Sequence, residues 1–473
     1  MMQVVNSETV AISAPKTDRT AYLARLLNLR PSLETSSLAA DTKVWLQSLR
    51  DRAAAVVHEQ SIPSTKEEDW RFTDLSTLLQ VQFAQPEQFT VKFDSDWNTV
   101  PEASQQQLIF INGVCGHSGS GIAERSDLDG LAEQPSGLFL GSLAAAMRHP
   151  VLASKIQEQL ALQPGAEEVF TALNTASFTD VAVVWVPKNL IVADPVRVLW
   201  ISTATEERPQ VAYPRCLVIA ETGSSLTFIE EYRSRGETPV LINAVTELWV
   251  QDNAQINHTR IQYEHPSTFH LGKTAIAQAR DARYTCNAIT FGARLSRHNL
   301  AVYANGEQTE THLNGLTRIA GEQLADTHST ITHTRPYGIS RQIHKCIIDD
   351  HAHAVFNGKI CVPQAAQLTD AAQLSRNLLL SSKARVDTKP QLEIVADNVK
   401  CAHGATVSQL EGDEIFYLQS RGLDRDAACQ LLVHAFAVDI LNRIPVASVR
   451  DRLIQQLAHQ DHDHLSGEKG GQG

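Results

Sequence analysis

Ala244-Val245-Thr246-Glu247-Leu248-Trp249-Val250 is followed by Arg260-Ile261-Gln262-Tyr263, Thr274-Ala275-Ile276, Leu300-Ala301-Val302-Tyr303 and His353-Ala354-Val355-Phe356. Each run is short, carries β-branched or aromatic residues near a period of two, and is separated from the next by Asn, Gly or Asp turn residues. The pattern starts near Asp180 with Val181-Ala-Val-Val-Trp185-Val186 and passes through Cys216-Leu-Val-Ile219 and Ser225-Leu226-Thr-Phe228-Ile-Glu230. Between Ile201 and Cys361 no segment has the periodicity of a long helix. A doubly wound α/β sheet needs helices on both faces, so it is excluded. A large sandwich or barrel and a β-helix solenoid remain. The runs recur about every 15–25 residues, the spacing of stacked coils, and the solenoid is preferred. Polar runs such as Thr309-Glu-Thr-His312 and Thr327–His333 are expected on a solvated outer sheet face. Helices at the two ends of the chain are expected to cap the stack.

Those helices are read on either side of the strand region. Ala21–Leu29 and Lys43–His58 have apolar spacings near three and four, broken by Pro31 and Pro63. Leu138 to about Leu162 is expected as a further helix. Between them, Pro63-Ser-Thr-Lys66-Glu67-Glu68-Asp69-Trp70-Arg71-Phe72-Thr73 reads as a helix start with Trp70 and Phe72 anchored on the core. Gly116-His117-Ser118-Gly119-Ser120-Gly121 lacks the Lys-Ser/Thr of a phosphate loop and is expected to be a flexible turn. Beyond residue 410, Asp424 is a candidate N-cap for a helix running to about Arg443. Ala427, Leu431, Leu432, Ala435, Phe436, Val438 and Leu441 form its expected apolar side. Pro445 ends it, and a second helix is expected over Val446–Ala458. The regions are therefore 1–170, mainly helical; 171–410, the strand core; 411–458, helical; and 459–473, a polar, Gly-rich tail expected to be disordered.

Of the 473 residues, 43% are hydrophobic and 20% charged, a globular composition, and the net charge of −12 argues against a nucleic-acid surface. Seven cysteines, with no Cys-x-x-Cys pair, suggest reduced thiols in a cytoplasmic setting. No signal-peptide core is read in Met1–Arg30, and no apolar segment reaches the length of a membrane span. The stretch with most chemistry is Cys401-Ala402-His403-Gly404-Ala405-Thr406. If it is a strand, Cys401 and His403 face the same way. Both are metal ligands, yet two ligands do not close a zinc or iron–sulfur site. The pair is either half of a site completed elsewhere or ordinary packing.

Pro63-x-x-Lys66-Glu67-x-x-Trp70-Arg71-Phe72-Thr73, Cys401-x-His403-Gly404-Ala405-Thr406 and Ser420-Arg421-Gly422 with the helix after it together resemble the SufB/SufD scaffold family of the SUF iron–sulfur cluster assembly system. The resemblance spans nearly the whole chain. It implies a mainly β fold: a right-handed parallel β-helix flanked by N- and C-terminal helical regions. Gly404 stands where the SufB branch carries Glu, which aligns the chain with the SufD branch. The resemblance implies a non-enzymatic scaffold role in a complex with SufB and the SufC ATPase, without nucleic acid or membrane. It implies no cofactor tightly bound to the chain alone. His403, with Cys401 beside it, would face the SufB interface and meet the nascent iron–sulfur cluster, His403 as metal ligand or proton acceptor. The C-terminal helices would dock SufC. Whether the isolated chain forms a homodimer stays open. Two other functions remain: a purely structural brace of such a complex, and an independent β-helix carbohydrate-active enzyme. The second would need converging carboxylates, and Glu230 and Glu231, adjacent on a strand, would face opposite ways.

Overall fold

The computed structural model describes residues 18–34, 36, 38–85, 100–118, 137–204 and 208–467. Its strands are β1 (Gln107–Ile111), β2 (Val114–Ser118), β3 (Phe139–Gly141), β4 (Ala182–Val186), β5 (Val196–Thr203), β6 (Gln210–Ala212), β7 (Arg215–Ala220), β8 (Ser225–Arg235), β9 (Val240–Val250), β10 (Gln255–Glu264), β11 (Phe269–Gln278), β12 (Arg283–Gly292), β13 (Leu295–Ala304), β14 (Glu310–Ile319), β15 (Leu324–His333), β16 (Ile339–Ile348), β17 (His353–Val362), β18 (Asp370–Leu379), β19 (Arg385–Ile394) and β20 (Lys400–Ser408). From β7 onward, successive strands alternate between two sheets. One sheet runs β2-β1-β5-β8-β10-β12-β14-β16-β18-β20, the other β19-β17-β15-β13-β11-β9-β7-β4-β3. Every pairing from β4 to β20 is parallel. This is the parallel β-solenoid, with two strands to a coil and a lumen between the sheets. Turn residues with positive φ, such as Asn253, Asp281 and Asp350, reverse the chain between coils.

The helices lie against the sides of the stack instead of capping its ends. In the N-terminal region α1 (Arg19–Asn28), α2 (Ala40–His58), α3 (Ser76–Leu79), α4 (Leu143–Arg148), α5 (Pro150–Gln159) and α6 (Val169–Ser177) form one apolar cluster with Leu217, Leu241, Phe269, Leu271 and Leu295 of the second sheet. Downstream, α7 (Gly412–Ser420), α8 (Arg425–Leu441) and α9 (Ala447–Gly467) follow β20. Val433, Ala437, Ile440, Val449, Leu453 and Leu457 of α8 and α9 pack on Ile229, Ile261, Ile289, Leu316 and Ile347 of the first sheet. Over these strands each sheet buries both faces, one in the lumen and one under helices. The N-terminal end is closed by the antiparallel strands β2 and β3. At the other end β19 and β20 are edge strands, and β20 is exposed along almost its whole length.

Several expectations change. The helix expected over Leu138–Leu162 is a strand and two helices, because Pro150 cannot continue α4 and instead starts α5 under the His149 cap. Gly116–Ser118, expected in a flexible turn, belong to β2, and Gly119–Gly121 lie outside the described residues. Trp70 is an anchor as expected, but on a single 3-10 turn, Glu68–Trp70. Asp424 caps α8 through its carboxylate and the Ala427 N–H, 2.8 Å. The fully buried residues of α8 are Ala428, Val433, Ala437, Ile440 and Leu441; of the expected face Leu441 is among them, Phe436 packs half-buried on the same core, and Leu431 and Ala435 are exposed. α9 runs on to Gly467, into the segment expected to be disordered. The polar runs do not lie wholly on an outer face: Thr309, Thr311, Ser329 and His333 are buried. Hydrogen bonds within the lumen compensate three of the four, Thr311 to Gln278 at 2.7 Å, Ser329 to Gln342 at 2.7 Å and His333 to Ser340 at 3.0 Å.

Candidate functional site at the open end of the solenoid

Cys401 and His403 share a face of β20, as their spacing requires. The ladder register pairs Ala371 with Cys401 and Gln373 with His403. Ala371 and Gln373 are buried in the lumen, so Cys401 and His403 occupy the lumen positions of the last coil. No further coil covers them. Cys401 is half-buried and His403 exposed. Burial raises the Cys401 thiol above its ordinary range, the Ala371 backbone opposes this, and nearby Asp370 adds to it. The thiol is therefore neutral near neutral pH, not primed as a thiolate. Gly404 points to the other face, where an added Cβ would touch Leu374 Cδ1 at 3.4 Å. Its backbone is ordinary, so no turn or close approach compels glycine here.

Among the described residues no group of three or more His, Cys, Asp and Glu could hold a metal ion. The open end offers one imidazole and one thiol, half of a coordination sphere. The other six cysteines do not join them: Cys115, Cys216, Cys286 and Cys346 are buried elsewhere, Cys361 of β17 contacts Glu393, and Cys429 lies on α8.

The structure also brings together groups that sequence spacing did not reveal. Glu230 and Glu231 do face opposite ways. Glu230 enters the lumen, accepts from Tyr232 at 2.9 Å and Thr246 at 2.5 Å, and faces His258 at 3.3 Å. Burial opposes charge on His258, but its contacts with Cys286 and Glu230 prevail and raise its pKa to about 9. Glu231 points outward under α9 and pairs with Arg197 at 2.8 Å, Arg233 at 2.7 Å and Arg452 at 2.9 Å. Both carboxylates are fully buried, so this pair does not line an open carbohydrate groove. The Trp70 stretch is a clamp. Arg297 lies 3.8 Å from the Trp70 ring centroid, donates to the Asp69 carbonyl at 2.7 Å and pairs with Asp326, to which Thr73 also donates. The only sequence sign of this clamp was the dense Trp-Arg-Phe-Thr motif; its partners lie more than two hundred residues away.

A second surface stands out on the C-terminal helices. Phe416 (71% exposed), Tyr417 (57%) and Leu431 (47%) offer large apolar side chains to solvent on α7 and α8. They accompany the part of α8 that does not face the solenoid.

Comparison with known proteins gives these features a context. The family model for the SUF system FeS cluster assembly SufBD core domain matches residues 201–436, and that for the SufBD N-terminal region matches residues 32–198. The chain belongs to the SufBD family. An iron–sulfur cluster assembly SufBD family protein of Synechocystis is 42% identical, over 87% of this chain and 90% of its own. The iron–sulfur cluster assembly protein SufD of Escherichia coli is 30% identical over 84% and 89%, and that of Bacillus subtilis 25% over 87% and 92%. The chain is thus a SufBD-family iron–sulfur cluster assembly protein, and the motif-based resemblance agrees. No helix among the described residues is long and apolar enough to cross a membrane.

Proposed function

We propose that this chain is the SufD-type scaffold subunit of a SufB–SufC–SufD assembly, non-enzymatic in itself, working in the cytoplasm. The observation that carries the reading is the uncovered last coil. An exposed edge strand leaves a row of unpaired backbone groups, a template for another chain. Here two edges, β19 and β20, end together around His403 and Cys401. SufB seated on that end would complete the sheets and bring the missing ligands to the half-sphere. The nascent cluster is the cargo of this site. His403 would meet it as ligand or take up a proton from an incoming thiol, both of which imidazole does near neutral pH. Cys401 would stand beside it, neutral until a metal or base removes its proton. The exposed aromatics of α7 and α8 support docking of SufC there, since Tyr and other large side chains supply most of the binding energy of small interfaces. ATP hydrolysis would then belong to that partner.

The test is reconstitution with SufB and SufC and the His403→Ala chain. Assembly composition should be unchanged and cluster yield should fall at least about tenfold, since losing even a hydrogen-bond partner of a metal ligand costs that much. Unchanged yield in an intact assembly would leave this chain as a structural brace. Failure of SufB and SufC to co-purify with the chain from its native extract would overturn the assembly itself.

A further inference from the structure

The lumen beneath His403 is layered. Register stacks Ser329, Gly358 and Pro390 on the second sheet, and Gln342, Gln373 and His403 on the first. In the lowest of these layers Gln342 Nε2 donates to Ser329 Oγ at 2.7 Å. One layer up, Gln373 Nε2 donates to Gln342 Oε1 at 2.8 Å. Gly358 makes room for this arrangement, because a Cβ there would overlap the Gln373 amide. The Gln342 bond turns the amide nitrogen toward the preceding layer. Its carbonyl oxygen, on a residue only 3% exposed, has no hydrogen-bond partner among the described residues. The next side chain on that ladder is His403, whose imidazole also makes no hydrogen bond among the described residues.

A buried unpaired carbonyl is costly, and a donor within reach is favoured. The Gln342–Gln373 bond shows that side chains in this column span the spacing between adjacent coils. The ε atoms of Gln and His stand the same number of bonds from their Cα, so the imidazole nitrogen that meets Gln373 Oε1 is Nε2. We propose that Gln373 is a positioning residue for His403, accepting the Nε2–H so that the Nδ1 lone pair is turned to the open end. This deepens the reading of His403 as the group that meets the nascent cluster, and rests on it for its purpose. The amide ladder then does for a ligand what outer-shell acceptors do in metal sites: it selects the tautomer and the ring plane before the metal arrives.

The experiment uses the isolated full chain with nitrogen-labelled histidine at mildly alkaline pH, the His403 signals assigned by their loss in His403→Ala. In the parent chain His403 should be predominantly the Nε2–H tautomer with slowed exchange of that proton. Gln373→Met keeps length but removes the acceptor, and the excess of that tautomer should fall roughly fivefold, the worth of one ordinary hydrogen bond. Gln373→Glu restores an acceptor and should restore the excess. An unchanged tautomer ratio in folded Gln373→Met overturns the proposal. If that variant does not fold, a parent chain showing the ratio and exchange rate of free imidazole overturns it instead. Partner capture and cluster yield are read separately with the parent chain and His403→Ala. Their failure would remove the functional role of His403 while leaving the measured pairing intact, so the two outcomes are distinguishable.

Discussion

Replacing Glu231 by Ala should destabilise the chain by about 3–5 kcal/mol, the usual cost of leaving buried charges uncompensated. The carboxylate is fully buried between the solenoid and α9, and three guanidiniums converge on it. Burial alone would raise its pKa; Arg197, then Arg452 and Arg233, overcome this and hold it well below the ordinary carboxylate range. Removing it takes the Glu231 charge away from Arg197, whose guanidinium it meets at 2.8 Å and whose side chain has no exposed surface. Arg452→Ala should cost less, about 1.5–3 kcal/mol for one charge-assisted hydrogen bond, because Glu231 keeps two partners. The double variant should fall short of the sum, since the second change removes one of the guanidiniums that met Glu231. Urea unfolding of the full chain measures each cost, and amide exchange along α9 locates it. A depressed carboxyl stabilises the fold above its unfolded pKa, and that stability is lost as pH falls toward its folded value. The parent should therefore lose α9 protection as pH drops below about 4.5, whereas Glu231→Gln should be flat there. A Glu231→Ala cost below about 1 kcal/mol, or below that of Arg452→Ala, would refute the view that this cluster fastens α9.

Asp180 gives the opposite pH sign. Burial raises its pKa to about 6, although the N–H groups of Cys115, Leu143 and Val181 oppose the shift. Its contribution should decline as pH rises from 3.8 to about 6, and a stability–pH titration of Asp180→Asn should lack that slope. Arg297→Lys loses the stacked guanidinium over Trp70 and should cost about 1–2 kcal/mol, with altered Trp70 fluorescence; unchanged emission and midpoint would dismiss the clamp. Phe416→Ser with Tyr417→Ser should leave stability within about 0.5 kcal/mol because both are solvent-exposed. The same pair should weaken SufC binding at least about tenfold by calorimetry; full affinity would move the docking surface elsewhere.

The amino-acid sequence by itself determined the strand core and the placement of Cys401 beside His403 on one face, because period-two patterning and turn residues act over a few neighbours. It also determined the Asp424 cap and the opposed directions of Glu230 and Glu231, which need only the alternation of a strand. Tertiary structure decided which face of α8 is buried. Leu431 and Ala435 are as apolar as Val433 and Ala437, and only the fit against Leu316 and Ile347 selects between them. It decided that Thr311, Ser329 and His333 face a lumen, since a polar strand residue reads as exposed until its partner on another coil is known. It also decided that the helices lie along the sides, leaving His403 at an open end. Coil stacking brings residues about thirty positions apart into register, a distance over which a single sequence carries no pairing signal.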